Sequence, residues 1–572
     1  LIAAAGLVLL LQVPFRLGPA VDFRHRSGGP EKTYILETMG AGLALFDYDS
    51  DSDLDLYLVN AGSLVPFEGA GDQLFRNDGA LGLTNVTREA GLVENGFGQG
   101  VAVGDLDNDG DPDLYVTNYG PNALYRNNGD GTFTAAPAGV EDARWSASAA
   151  FADVDGDGFL DLYVCNYLDF DKELLDRLIP QQYCEWKGLR VNCGPRGFPL
   201  VSGAFFRNKG DGTFADETVR SGLESKGSYQ LGVLFSDLDG DSDLDLYVAA
   251  DSTPNLLFEN VGGGRFEDRS LLSGAAFSHA GAAQAGMGVD SGDVDSDGRP
   301  EMVVTNFSDD YDTLYSNRGG LTFLDSSDLF GLAAPTLPYL GWSLLLEDFD
   351  SDFDLDLFKV NGHVYPQVDG REVGESFRQP MQLFWNEGGK AFREAHSELL
   401  SEGRAARGAA LGDLDGDTDG DVVVSILDGA PVVLLQEGPP VVSLRLVGRR
   451  SNRDGIGAKV WAITSGRKWL REIRSARGYL SASEPAARFP RADQVEIEWP
   501  SGGRDELPPL DPGNYVVLEG VGRLEEPARA DRARRASGAC GPSAGRAERV
   551  PKREALGVGP QRIGEERGEH KE

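Results

Sequence analysis

From about residue 40 to residue 438 the chain repeats one arrangement of apolar and polar positions. A run of small and apolar residues comes first, such as GAGLALF (Gly40 to Phe46) or GQGVAVG (Gly98 to Gly104). An Asp-rich interruption follows, then an apolar alternation such as LDLYLV, the period-two signature of a half-buried strand. A third apolar segment leads through an Asn/Gly-rich turn into a fourth that begins at Phe. Examples are LYRNNGDGTF (Leu124 to Phe133), FFRNKGDGTF (Phe205 to Phe214) and LFENVGGGRF (Leu257 to Phe266). Gly and Asn supply the positive φ angles of tight hairpins. Each unit therefore reads as four antiparallel strands, with small residues on the first strand because backbones converge there on an axis.

Seven units start at Asp47, Asp105, Asp153, Asp237, Asp293, Asp348 and Asp413, 48 to 84 residues apart. That spacing suits the blade of a β-propeller rather than a run of separate domains. The predicted fold class is all-β, with a seven-bladed β-propeller over residues 21–438. A small β-sandwich-like domain follows over 439–522, where VSLRLVG, KVWAIT, VEIEWP and YVVLEG alternate without an Asp loop. Residues 523–572, polar and rich in Arg and Gly, read as a disordered basic tail. The seventh unit lacks a fourth strand after PVVLLQEG (Pro431 to Gly438). The leftover segment 21–25 (VDFRH) is predicted to close the ring as the outer strand of that blade.

The apolar run LIAAAGLVLLLQV at the start is short for a membrane span and fits the hydrophobic part of a signal peptide. Residues 1–20 read as a signal peptide or anchor remnant, with Gly18 and Ala20 at the −3 and −1 positions of a cleavage after Ala20. A secreted, cell-surface or periplasmic location is expected, with membrane contact at most through this segment. The chain should be a monomer.

A net charge of −39 disfavours nucleic acid as a partner. Four Cys are too few for a disulfide-built scaffold, and five scattered His give no zinc spacing. Cys184 and Cys193 bracket a short step inside the longest insertion between loops and are expected to form a disulfide. Cys165, on a strand, is expected to be a buried free thiol.

The acidic residues recur at loop positions one, three, five and nine. They are Asp47, Asp49, Asp51 and Asp55; Asp105, Asp107, Asp109 and Asp113; Asp153, Asp155, Asp157 and Asp161. Next come Asp237, Asp239, Asp241 and Asp245; then Asp293, Asp295, Asp297 and Glu301. The last two sets are Asp348, Asp350, Asp352 and Asp356, and Asp413, Asp415, Asp417 and Asp421. Alternate residues of a curled loop can point inward together, with a backbone carbonyl near position seven completing an oxygen shell of the kind Ca²⁺ requires. Up to seven Ca²⁺ ions are expected, bound most weakly near Asp293, where Glu301 replaces Asp. A strand rather than a helix follows each loop, which argues against an EF-hand.

Hairpin topology places the Asp loops and the Asn/Gly turns on one face and the long insertions on the other. Those insertions carry Tyr183, Trp186, Arg190 and Arg196, and His363, Tyr365 and Arg378, which are predicted to be exposed and to bind a partner. The alternative is that these loops plug the central channel or dock the C-terminal domain. No nucleophile–base pair stands out, so no catalytic residue is assigned. A propeller enzyme acting on polysaccharide as lyase or hydrolase, or a purely structural spacer, are the alternatives to a binding module.

The loop-plus-strand unit resembles the FG-GAP/VCBS repeat of integrin α-subunit propellers. With ETMGAGLALFDYD (Glu37 to Asp49), CGPRGFP (Cys193 to Pro199) and NGHVYP (Asn361 to Pro366), it is more similar to the cartilage acidic protein 1 family. SNRDGIGAKV (Ser451 to Val460), RGYLSASEP (Arg477 to Pro485) and VEIEWPSGG (Val495 to Gly503) resemble that family's ASPIC/UnbV domain. The resemblance implies calcium binding and an extracellular adhesion or ligand-binding role, toward protein or glycan, without catalysis. RFPRADQ (Arg488 to Gln494) departs from the family pattern, so a shortened C-terminal domain is expected.

Overall fold

The computed structural model describes residues 13–64, 67–79, 81–93, 96–169 and 184–524. The fold is all-β, a β-propeller followed by a C-terminal β-domain. Seven four-stranded antiparallel sheets among the described residues each carry one acidic loop. The loop joins the innermost strand to the second, as between Phe97–Gly104 and Asp113–Tyr119 or between Gln230–Ser236 and Asp245–Ala250. Each innermost strand lies beside that of the next sheet, and the strand of the seventh (Ala406–Gly412) meets that of the first (Leu43–Phe46).

Small residues make this convergence possible. A Cβ on Gly288 would stand 2.2 Å from the carbonyl oxygen of Trp342 in the neighbouring sheet. Outward from the axis the alternation buries one apolar face against each neighbour: Leu344, Leu346, Leu355 and Leu357 pack with Val294 and Val303.

The N-terminal segment does complete the seventh sheet, but with other residues than expected. Phe15–Leu17 pairs with Val432–Gln436, Phe15 opposite Gln436 and Leu17 opposite Leu434. Residues 21–25 run on as irregular backbone, tied by the His25 amide to the Gly429 carbonyl at 2.9 Å. Cleavage after Ala20 would remove the strand that the sheet uses. Gly18, taken as part of a cleavage site, is small for packing: a Cβ there would meet the Val433 side chain at 2.6 Å. Residues 1–12 and 525–572 lie outside the described residues, and with them most of the segment expected to be a signal peptide and of the segment expected to be a disordered tail. Among the described residues no helix is long and apolar enough to cross a membrane.

The C-terminal domain consists of two four-stranded sheets. Val442–Val447 lies between Ala486–Phe489 and, in parallel, Gly513–Leu518, with Gly522–Leu524 at the edge. The second sheet orders Arg467–Glu472, Lys459–Thr464, Gln494–Glu498 and Arg504–Leu507. The residues whose departure suggested a shortened domain supply the end of one strand and the bridge between Ala492 and Leu510.

Candidate functional site

Each acidic loop is curled by its own carboxylates. In the first, Asp47 accepts the amides of Asp51 (3.0 Å) and Ser52 (2.9 Å), and Asp51 accepts that of Asp53 (2.9 Å). Positions four and six are left-handed in all seven loops. They are Ser50 and Ser52, Asn108 and Gly110, Gly156 and Gly158, Gly240 and Ser242, Ser296 and Gly298, Ser351 and Phe353, and Gly416 and Thr418. That repeated reversal turns the side chains at positions one, three and five to the same side. Phe353, a bulky residue with φ of 79°, is unfavourable there. Its ring stacks on Trp469 of the C-terminal domain, centroids 4.4 Å apart, which holds it in place.

The result is clusters of carboxylates that could hold a metal ion. Ligand oxygens of Asp47, Asp49 and Asp55 lie within 4.8 Å of one another, as do those of Asp105, Asp107 and Asp109 and those of Asp153, Asp155 and Asp157. Asp237, Asp239 and Asp245, and Asp293, Asp295 and Asp297, do the same. Burial, followed by repulsion from neighbouring carboxylates, pushes three of the position-one acids upward: Asp47 to about 7, Asp105, beside Asp454, to about 8 and Asp293 to about 7. One oxygen each of Asp49, Asp153, Asp295 and Asp415 is buried without a hydrogen-bond partner. Buried, mutually repelling carboxylates with unpartnered oxygens are costly unless a cation joins them, so the donor set fits a hard divalent ion.

Position nine does more than the sequence indicated. Asp55 accepts the amide of Tyr48 within the loop (3.0 Å) and that of Asn77 at the end of the third strand (2.8 Å). Asp245 repeats this with Leu238 and Asn260, and Asp356 with Phe349 and Asn386. Glu301 makes the same pair of bonds, to Val294 and Asn317, despite its longer side chain. Burial is the main reason that Asp55 and Asp245 are pushed to about 9.

The third strand ends in Asn, or in Gln in the seventh sheet, and this residue was overlooked in the sequence. Asn127 donates to the Tyr48 carbonyl at 2.8 Å, Asn208 to Leu106 at 2.9 Å and Asn260 to Val154 at 2.8 Å. Asn317 reaches Leu238, Asn386 reaches Val294, and Gln436 reaches Phe349. Every acceptor is position two of the preceding acidic loop, so each loop is latched to the following sheet. The recurrent Arg-Asn or Glu-Asn before the turn was the available signal. Acids at position seven, Asp53, Asp111, Asp243, Asp354 and Asp419, were likewise read only as a backbone carbonyl position.

The C-terminal domain covers the face that bears these loops. Asp454 accepts the Asp105 amide at 2.8 Å, Glu472 the Asp237 amide at 3.0 Å, and Glu484 the Asp413 amide at 3.3 Å. Residues 472–484 then run along the axis and bond to the innermost strands of all seven sheets. Glu472 accepts Ser236 Oγ, Ser475 accepts the Phe151 amide, and Gly478 exchanges two backbone bonds with Val289. Tyr479 donates its amide to Ser343, while the Leu480 carbonyl accepts from Val101. Ala482 pairs with Leu43 and Leu45, and Ser483 accepts the Leu411 amide. Gly478 is required in this path, with φ of +73° and only 2.1 Å between a built Cβ and Ser343 Oγ.

On the opposite face the insertions pack on one another, which corrects the expectation that all of their aromatic residues are exposed. His363 and Tyr365 are buried. The half-buried Trp186 ring lies 5.0 Å from His363, 5.7 Å from Tyr365 and 6.4 Å from Phe307. Glu375 stands 2.9 Å from His363 Nε2 and 2.7 Å from Lys187 Nζ, whose ammonium lies over the Trp186 ring. Apolar rings so close together are more stable desolvated than presented singly to water. Arg190, Arg196 and Arg378 remain exposed, and Tyr183 lies outside the described residues. Cys184 and Cys193 form a disulfide within this insertion, and Cys165 is a buried free thiol.

Residues 47–116, 105–164, 237–304 and 293–358 match the FG-GAP-like repeat family, and residues 448–523 match the ASPIC and UnbV family. The chain is 29% identical over 275 residues to cartilage acidic protein 1 of Homo sapiens, covering 45% of this chain and 39% of that one. Against the Mus musculus protein it is 28% identical over 304 residues, covering 50% and 44%. The match thus spans less than half the length of these relatives. An Agrocybe aegerita lectin that recognises non-reducing terminal N-acetylglucosamine aligns in structure with a TM-score of 0.37 and 17% identity, over 68% of this chain and 87% of its own. YCF48 bound to D1 peptide aligns at 0.40 and 9%, over 73% and 98%.

Proposed function

Because the chain belongs to the family of cartilage acidic protein 1, with FG-GAP-like repeats and an ASPIC and UnbV domain, we propose that it is a calcium-loaded extracellular binding module. The observation that carries this reading is the set of in-register acidic loops, with one buried oxygen each of Asp49, Asp153, Asp295 and Asp415 left without a hydrogen-bond partner. In this reading the first, third, fifth and ninth positions hold Ca²⁺, and the ion supplies the positive charge that the clustered carboxylates need. The seven blades over residues 21–438, joined by the strand at Phe15–Leu17, and the C-terminal domain over 439–522 act as one rigid body. The disulfide of Cys184 and Cys193 is consistent with an oxidising, exported location.

With the loop face occupied by the C-terminal domain, the partner, a protein or a glycan, docks on the opposite face. Exposed Arg196 and Arg378, held on loops fixed by the Trp186 ring cluster, are the contacts proposed there. The test is a glycan array and an array of extracellular proteins, probed with the purified chain in calcium. Binding lost in Arg196→Glu/Arg378→Glu, with melting temperature unchanged, supports the reading. Binding that survives in this variant, or turnover of an oligosaccharide, overturns it.

A further inference from the structure

In the fourth acidic loop, unlike the other described loops, the innermost carboxylate already touches an ammonium. Lys459 Nζ, at the start of strand Lys459–Thr464 of the C-terminal domain, donates to Oδ2 of Asp237. Asp237 is position one of its loop, almost fully buried, and its oxygens also accept the amides of Gly240 at 2.7 Å and Ser242 at 2.8 Å. A ligand oxygen of Asp237 lies within 4.8 Å of those of Asp239 and Asp245. The ammonium is thus seated at one corner of a three-carboxylate cluster, on the same residue a metal would use.

Other loops differ at that position. In the third and fifth loops Arg207 and Arg299 reach Asp155 and Asp297, which are positions three and five and more exposed than position one. In the sixth, the guanidinium of Arg471 makes a longer ion pair with Asp348, at 3.7 Å, and in the seventh Asn514 Nδ2 donates to Asp413 at 3.2 Å. Glu472 fixes the arrangement in the fourth loop. It accepts the Asp237 amide at 3.0 Å and lies opposite Lys459 at the open end of their hairpin, since residues 459 and 472 are register partners.

We propose that Lys459 is the resident cation of the fourth acidic loop, which takes a divalent metal only in exchange for the ammonium. The reason is electrostatic. A metal placed among Asp237, Asp239 and Asp245 with the ammonium still in contact would put like charges a few ångströms apart in a buried setting, where repulsion is strong. Metal entry therefore displaces Lys459, and with it one of the grips by which the C-terminal domain holds the propeller. By reciprocity, a firmly docked domain weakens metal binding at this loop and leaves the loop at Asp47 unaffected. This inference rests on the reading of the loops as calcium sites.

The test is isothermal calcium titration of the metal-stripped full chain, together with its melting temperature in chelator and in calcium. Lys459→Met should tighten calcium binding at one site per chain by about tenfold and widen the gap between the two melting temperatures. Lys459→Arg, which keeps the charge, should titrate as wild type, and Lys459→Met/Asp237→Asn should lose the gain. A Lys459→Met chain that melts cooperatively, yet has the wild-type isotherm and the wild-type gap, overturns the role of Lys459. A wild-type chain that takes up no calcium overturns the underlying reading of the loops instead.

Discussion

The side-chain amide of Asn77 donates to the backbone carbonyl of Leu414, 337 residues later in the chain, at 2.9 Å. This bond crosses the seam where the first sheet meets the last, and the same amide also serves the Leu54 carbonyl at 3.2 Å. It is the ring-closing member of a latch that recurs at every junction between sheets, and it sits directly under two acidic loops.

Asn77→Ala should therefore destabilise the chain by about 1–3 kcal/mol, the cost of leaving a buried carbonyl unsatisfied. Asn128→Ala, at an exposed turn position one sheet away, should stay within about 0.5 kcal/mol of wild type. Urea unfolding of both variants measures the difference. Equal midpoints would show that the latch contributes nothing.

The acidic loops should make the metal-free chain less stable as pH rises. Asp47, Asp55, Asp245 and Glu301 have folded-state values of about 7, 9, 9 and 8, raised mainly by burial above their ordinary range. A carboxyl raised on folding binds more protons folded than unfolded. Its contribution is full below the unfolded value near pH 4 and is lost as pH rises through the folded value. Melting temperature of the stripped chain should fall between pH 5 and pH 9, and saturating calcium should flatten that slope. A stripped chain whose melting temperature rises over this interval contradicts the assignment.

On the opposite face, Trp186 acts through packing and Arg378 through exposure. Trp186→Ala removes a ring that touches His363, Tyr365 and Phe307, and should cost about 2–4 kcal/mol in stability. Arg378→Ala should leave the melting temperature within a degree or so of wild type. Calorimetric melting of the two variants separates these roles, and an unchanged Trp186→Ala melting curve would show that the ring cluster is not structural.

The blade unit was legible because each of its strands has a local signature: small residues before Asp105, alternation after Asp113, and Asn and Gly between Asn127 and Phe133. The carboxylate clusters were legible for the same reason, since all their ligands fall within nine consecutive residues. What escaped was long-range. Nothing local distinguishes Asn77 from any turn Asn until Leu414 is beside it. The apolar stretch at Phe15 read as part of a leader because its partner, Gln436, lies more than four hundred residues away. RGYLSASEP was recognised as a motif, yet the path of residues 472–484 along the axis depends on bonds to the innermost strands of seven different sheets. His363 and Tyr365 read as exposed because a loop sequence does not reveal that another loop, carrying Trp186, will fold over it.

The central claim, that a divalent cation completes the acidic loops and so holds the sheets together, is tested most directly by calorimetric unfolding of the metal-stripped full chain with and without millimolar calcium. Each loaded site should add roughly 2–4 kcal/mol when calcium is well above its dissociation constant. The chain should therefore unfold in one transition at a markedly higher temperature in calcium, with a smaller effect from magnesium. Superimposable unfolding curves with calcium and without it would contradict the account.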